Sequence, residues 1–187
     1  MRQYIFATIL FLTGPFSFCQ TEISGVTPAK TIEVGSISLE FNGAGLREKF
    51  FLDLYVGALY VTTKTNNQKT VINTDESMAI TLDIVSSLIT SEKMLTAISE
   101  GFENSTNGNT NPYEAKIALF KATFKEEVKI GDHYVIAYLK GVGTEIYKNG
   151  KKVTTIPSFD FKKVLFGIWF CDEPADEDLM EGMLGIY

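Results

Sequence analysis

The chain is 187 residues, 45% hydrophobic, 12% aromatic and 21% charged, with a formal charge of −6, a profile that fits one globular domain and excludes a disordered tail or linker protein. The negative balance, with no basic stripe to offset it, excludes nucleic acid as a partner and sets long-range electrostatics against anionic surfaces. Its only two arginines are Arg2 and Arg47, against 15 lysines.

Met1-Arg2-Gln3 is a short basic start, Tyr4 to Leu12 an apolar run, and Pro15 to Cys19 a breaker followed by small residues, which together read as a secretory signal cleaved after Cys19. The run falls short of the roughly 20 residues that span a bilayer, so no integral span is expected in the mature chain. Lipidation of Cys19 is disfavoured by the bulky Phe18 before it. The expectation is a signal over 1–19, a single domain over 20–187, and export to a periplasm or beyond. That domain keeps one cysteine, Cys171, so no intrachain disulfide can form.

From Thr31 an alternating pattern switches phase at Gly35-Ser36, which predicts a hairpin with a Gly-first two-residue turn. After Asn42-Gly43-Ala44-Gly45, the nearly continuous apolar stretch Lys49 to Thr62 predicts one central strand. Thr63 to Asp75 is polar, a loop with room for a helical turn. Met78, Ile80, Leu82 and Ile84 alternate with Ala79, Thr81 and Asp83 as in a half-buried strand.

The period then changes. Met94, Ile98 and Phe102 recur every four residues on one face of a helix that ends near the Asn/Gly-rich run 104–111. A second helix begins with Asn111 as N-cap and Pro112 at its first position, and continues through Ile117, Phe120 and Phe124. Alternation returns from Asp132 to Leu139, and Thr144 to Ile156 forms a hairpin around Asn149-Gly150. Ser158 caps a third helix carrying Phe161, Val164, Leu165, Ile168 and Trp169, and a short fourth helix closes the chain. The order predicts an α+β domain, an antiparallel sheet with helices packed on one face, whose sheet-to-helix gap suits an apolar ligand.

Several chemistries can be set aside. With one histidine, His133, and one mature cysteine, no zinc site can be built from these ligands, and no metal or cofactor is expected. His133 reads as a strand residue that faces solvent or is bonded locally, and Cys171 as a small buried thiol at a helix end. The acidic run Asp172 to Asp178 lacks the spacing and mid-loop glycine of an EF-hand and suits a helix N-terminus. Gly43-Ala44-Gly45 is not followed by a helix start, which excludes a phosphate loop. Arg47 has two readings: a rigid, permanently charged anion clamp in a pocket, or a structural partner for Glu48 or a strand end.

Asn42-Gly43-Ala44-Gly45-Leu46-Arg47, followed by Lys49 to Tyr60 with its terminal Gly57-Ala58-Leu59-Tyr60, resembles the chalcone isomerase-like family. Gly141-Val142-Gly143-Thr144 leading into Lys148-Asn149-Gly150, and Phe161 to Trp169, resemble its bacterial secreted branch. The resemblance implies an open-faced β-sandwich and two known roles, fatty-acid binding or intramolecular cyclisation of an enone of the chalcone isomerase type. A third reading, taken from the residues and not from the resemblance, is a non-catalytic interaction protein that uses its acidic C-terminal helix or exposed aromatics. Arg47 matches the family arginine, which stabilises an enolate in the enzymes and holds a carboxylate in the fatty-acid binders.

By the same resemblance the enzymes' strand threonine falls on Tyr55, and their helix-borne tyrosine and asparagine fall on Met94 and Gly101. The leading expectation is therefore a monomer that binds a small acidic apolar ligand through Arg47 and Tyr55, with Met94, Ile98 and Phe102 along the apolar part. In the enzyme reading Arg47 is the catalytic residue. On an unbroken strand Arg47 and Tyr55 share parity but stand about 26 Å apart at roughly 3.3 Å per residue. They meet only if the chain bends between them, with Glu48-Lys49 the candidate break.

Overall fold

The computed structural model describes residues 22–186, so the predicted signal over 1–19 lies outside the described residues. Seven strands form one sheet in chain order, each antiparallel to the next: β1 (Thr31–Val34), β2 (Ile37–Lys49), β3 (Leu52–Val61), β4 (Met78–Ile84), β5 (His133–Leu139), β6 (Gly143–Lys148) and β7 (Lys151–Ile156). Helix α1 (Gln68–Asn73) joins β3 to β4, α2 (Ser91–Ser105) and α3 (Glu114–Ala122) join β4 to β5, and α4 (Phe159–Phe170) and α5 (Glu177–Leu184) follow β7. This is the expected α+β class.

One expectation fails at the centre of the sheet. The stretch Lys49 to Thr62 is not a single strand: β2 runs through Asn42–Gly45 and on to Lys49, the chain reverses at Phe50-Phe51, and β3 returns from Leu52. Both turn residues have left-handed backbones, φ 54° and 63°, the hand a type I′ turn requires and one usually supplied by Asn or Gly. Two phenylalanines give no such signal, so an apolar run hid a hairpin. The Gly35-Ser36 and Asn149-Gly150 turns fall where predicted, with Gly35, Asn149 and Gly150 all at positive φ.

Residues of alternate parity on β3 to β5 face opposite sides of the sheet. Tyr55, Leu59, Ile80, Leu82, Tyr134 and Ile136 belong to the main core beneath the helices, whereas Ala58, Tyr60, Ala79 and Ala137 belong to a smaller cluster on the other face. That second cluster includes Val34 and Leu39 of the edge hairpin, and the Gly35 turn comes within van der Waals reach of Leu139 on β5. The sheet therefore curls until its first hairpin covers its own far side. β4 is consequently buried on both faces and not half-buried as its alternation suggested.

The helices dock through small residues. A Cβ on Gly101 of α2 would fall 2.7 Å from Ile168 of α4, and one on Gly167 of α4 would fall 2.7 Å from Ser105 of α2, so each helix fits the other where a side chain is missing. Thr90 and Ser158 cap α2 and α4, accepting from the backbone N–H groups of Lys93 and Phe161. Asn111 does not cap α3. It opens a 3-10 turn, Asn111–Tyr113, and the N-cap position of α3 falls to Tyr113, which makes no side-chain capping bond, because Pro112 fits a tight first turn that needs no donor there.

Lys162 of α4 is fully buried, and its ammonium donates to the carbonyls of Val71, Ile72 and Thr74 at the end of α1. It also lies over the rings of Phe166, Phe159 and Tyr138, at 5.3, 5.6 and 5.7 Å. A buried cation thus closes a helix terminus that has no side-chain cap of its own.

Candidate functional site

The Gly-x-Gly motif acts on packing. A Cβ on Gly43 would stand 2.3 Å from the Gly182 carbonyl oxygen of α5, one on Gly45 would stand 2.8 Å from that of Leu179, and one on Gly182 would stand 2.6 Å from that of Ala44. Strand and helix therefore touch backbone to backbone, which only glycine permits. Asn42 reinforces the contact by donating to Met183 O at 2.8 Å and Thr65 O at 2.9 Å. Pinned in this way, α5 presents its first turn to Arg47.

The Asp176 carboxylate does two things there. One oxygen accepts from the Leu179 backbone N–H at 2.9 Å and caps α5, and the other accepts from Arg47 Nη1 at 2.7 Å. Arg47 Nη1 also donates to Glu48 O at 3.3 Å. The side chains retain 20% and 14% exposure, so the pair is shielded but still reachable from solvent. Of the two sequence readings of Arg47, the structural one is present in the fold, with Asp176 as its charged partner.

Tyr55 lies directly across the β2–β3 ladder from Arg47, after a one-residue bulge that leaves Leu54 between the pairs Glu48–Asp53 and Arg47–Tyr55. The 26 Å separation applied to an unbroken strand; the turn at Phe50-Phe51 removes it. Trp169 of α4 donates its indole N–H to the Tyr55 hydroxyl at 3.1 Å. Burial pushes the Tyr55 pKa above its ordinary 10, against the lowering effects of the Trp169 bond and the Arg47 charge. The phenol therefore keeps its proton and remains a donor.

These two residues border a cavity of about 770 Å³ between the sheet and α2, α3 and α4, within the range of small-molecule sites. Met94, Ile98, Leu82, Phe120, Phe124 and Ile168 form much of its apolar wall, Trp169 and Ala175 flank the Arg47–Tyr55 side, and Phe50, Leu52, Leu88, Lys49 and Lys93 reach its mouth. Of the residues expected to line it, Arg47, Tyr55, Met94 and Ile98 do so. Phe102 does not. It is 1% exposed and packs beneath the wall against Phe120 and Phe161, with ring centroids 5.9 Å away in each case. Helical periodicity identifies the buried face but cannot separate a residue in the wall from one behind it.

Sequence reasoning missed Asp176 and Trp169 as parts of the site. Asp176 was legible only as one of several acids at a helix start, and Trp169 only as a neighbour of an apolar helix face. Gly101, where the resemblance puts an asparagine in the enzymes, lies on the wall with its vacant Cβ position already taken by Ile168. An amide could stand there only if the Ile168 side chain gave way.

Neither His133 nor Cys171 lines the cavity. His133 Nδ1 is 2.7 Å from Asp83 Oδ1 on the neighbouring strand, and that bond raises its pKa above 6.5. Cys171 is half-buried at the end of α4, with its thiol toward Glu173 O at 3.1 Å. Among the described residues, no helix is long and apolar enough to cross a membrane.

The fold and site define an α+β domain with an apolar cavity bordered by one arginine and one buried tyrosine. The chalcone isomerase-like family matches residues 20–185, and the chain belongs to that family. Among solved structures it is similar to an Arabidopsis thaliana fatty-acid binding protein, at 16% identity and a TM-score of 0.66 over 86% of this chain and 92% of that one. No curated protein sequence matches significantly.

Proposed function

We propose that this chain is an exported, non-catalytic domain of the family's secreted bacterial branch that holds a fatty acid or a similar acidic apolar ligand, with its head at Arg47 and Tyr55 and its tail along Met94 and Ile98. The observation that carries the reading is the pairing of Arg47 with Tyr55 on the wall of an otherwise largely apolar cavity. The fatty-acid binding of the Arabidopsis relative supports it. Each buried methylene contributes about 0.8 kcal/mol, so a long acyl tail needs only one polar anchor. The basic start and apolar run of residues 1–12 support export.

Binding is favoured over enone cyclisation by what the helix side of the cavity lacks. Met94 and Gly101 stand where the resemblance puts a tyrosine and an asparagine in the enzymes, so the groups that would orient and polarise an enone are absent from those positions.

Trp169 is the only tryptophan in the chain and lines the cavity, which makes its fluorescence a direct probe. Titration with palmitate should shift its emission in a saturable way, Arg47→Ala should weaken the response at least tenfold, and native mass spectrometry should show a fatty acid carried through purification. A wild-type protein that purifies empty and ignores palmitate sinks the proposal.

A further inference from the structure

The β2–β3 turn is an unusual place for two phenylalanines. Phe50 and Phe51 are 83% and 100% exposed and both hold left-handed backbones, a conformation that costs a non-glycine residue stability. Neither contributes to either apolar core. Leu52, 47% exposed, and Leu88, 43% exposed, stand beside them at the cavity mouth. Among the described residues the two most exposed aromatic side chains thus share one turn, of which Phe50 reaches the apolar cavity.

We propose that the Phe50-Phe51 tip inserts into the interfacial layer of a phospholipid bilayer, so that the cavity mouth opens onto the lipid from which an apolar ligand enters or into which it leaves. This rests on the reading of the cavity as an apolar-ligand site. Size argues for lipid over protein: Phe50, Phe51 and Leu52 at the turn, with Leu88 from the β4–α2 connection, offer on the order of 500 Å², below the roughly 800 Å² per partner that a stable protein interface buries. Two exposed rings on a rigid hairpin provide a shallow wedge whose binding to a bilayer is weak and reversible.

Charge decides which lipid fits. Lys49, its ammonium 6.0 Å from the Phe50 ring, and Lys93 stand at the mouth where headgroup phosphates would lie, and Glu48 and Glu92 beside them balance their charge. With the whole chain at −6, the complementary surface is zwitterionic, and insertion rather than net attraction holds the domain there.

The test uses phosphatidylcholine vesicles and the mature domain. Phe51→Trp should be quenched by brominated phosphatidylcholine well beyond the wild-type protein, whose Trp169 is buried. Phe51→Gly removes the most exposed ring and supplies the residue a type I′ turn prefers, so the protein should fold at least as well while vesicle partitioning falls roughly tenfold or more. Phe51 does not line the cavity, so the palmitate response of Phe51→Gly in lipid-free solution should match the wild type.

Quenching of Phe51→Trp no greater than that of the wild type, unchanged partitioning of Phe51→Gly, or binding confined to phosphatidylglycerol vesicles would each overturn the docking proposal. The two readings fail separately. A protein that answers palmitate but ignores vesicles loses only the docking surface, and one that docks but never answers palmitate loses the cavity reading.

Discussion

Arg47 and Tyr55 face each other as a cross-strand pair near the turn of the β2–β3 hairpin, the first held by Asp176 of α5 and the second by Trp169 of α4. Two helices from the C-terminal part of the chain thus fix the two polar groups that the strands bring together. The carboxylate already on Arg47 bears directly on the proposed function, because it stands where a bound ligand's head would compete.

Asp176→Asn tests that competition. Asparagine is as good an N-cap as aspartate, so α5 keeps its start while the competing charge is lost. Palmitate affinity should rise on the order of tenfold, about 1.4 kcal/mol, as read by Trp169 fluorescence. A fall instead would mean that Asp176 orients Arg47 for the ligand.

Gly45→Ala should destabilise the fold. The new methyl would meet the Leu179 carbonyl oxygen at 2.8 Å and its Cα at 2.9 Å, and these backbone atoms yield only if α5 moves. Overpacking of this kind costs about 1–3 kcal/mol, measurable by urea unfolding. Because α5 carries Asp176, the Arg47 pair should loosen too.

Lys162→Met removes the donor shared by the Val71, Ile72 and Thr74 carbonyls, and the loss should be about 1–3 kcal/mol despite the similar volume. Burial lowers the Lys162 pKa from 10.5 to about 8. Between those values the unfolded chain binds a proton that the folded chain has released, so wild-type stability should rise with pH across that window. The variant should lose this slope in denaturant titrations spanning roughly pH 7.5 to 10.5.

His133 reports on the far side of the sheet. Its pKa is raised above 6.5, first by the hydrogen bond to Asp83, so the folded state holds its proton at pH values where the unfolded state has lost it. The stabilisation is therefore complete below the unfolded pKa and is lost as pH rises through the folded pKa. As the only histidine in the chain, it gives one imidazole titration by NMR, and Asp83→Asn should shift that titration to lower pH.

The α+β class, the hairpins at Gly35-Ser36 and Asn149-Gly150, the amphipathic face of α2 and the cap at Ser158 were legible in the sequence, because turn chemistry, side-chain period and capping are local properties of a few neighbouring residues. The sequence also isolated Arg47 as the one arginine downstream of residue 2. The tertiary structure alone decided the rest. The Phe50-Phe51 reversal is a left-handed turn written in residues that do not signal one, and the Arg47–Tyr55 pairing depends on it. Asp176 on Arg47, Trp169 on Tyr55, α5 against Gly43 and Gly45, and Phe102 behind the cavity wall each join segments far apart in the chain. Spacing along a sequence carries the period of one element, and only packing between elements sets which side chains meet.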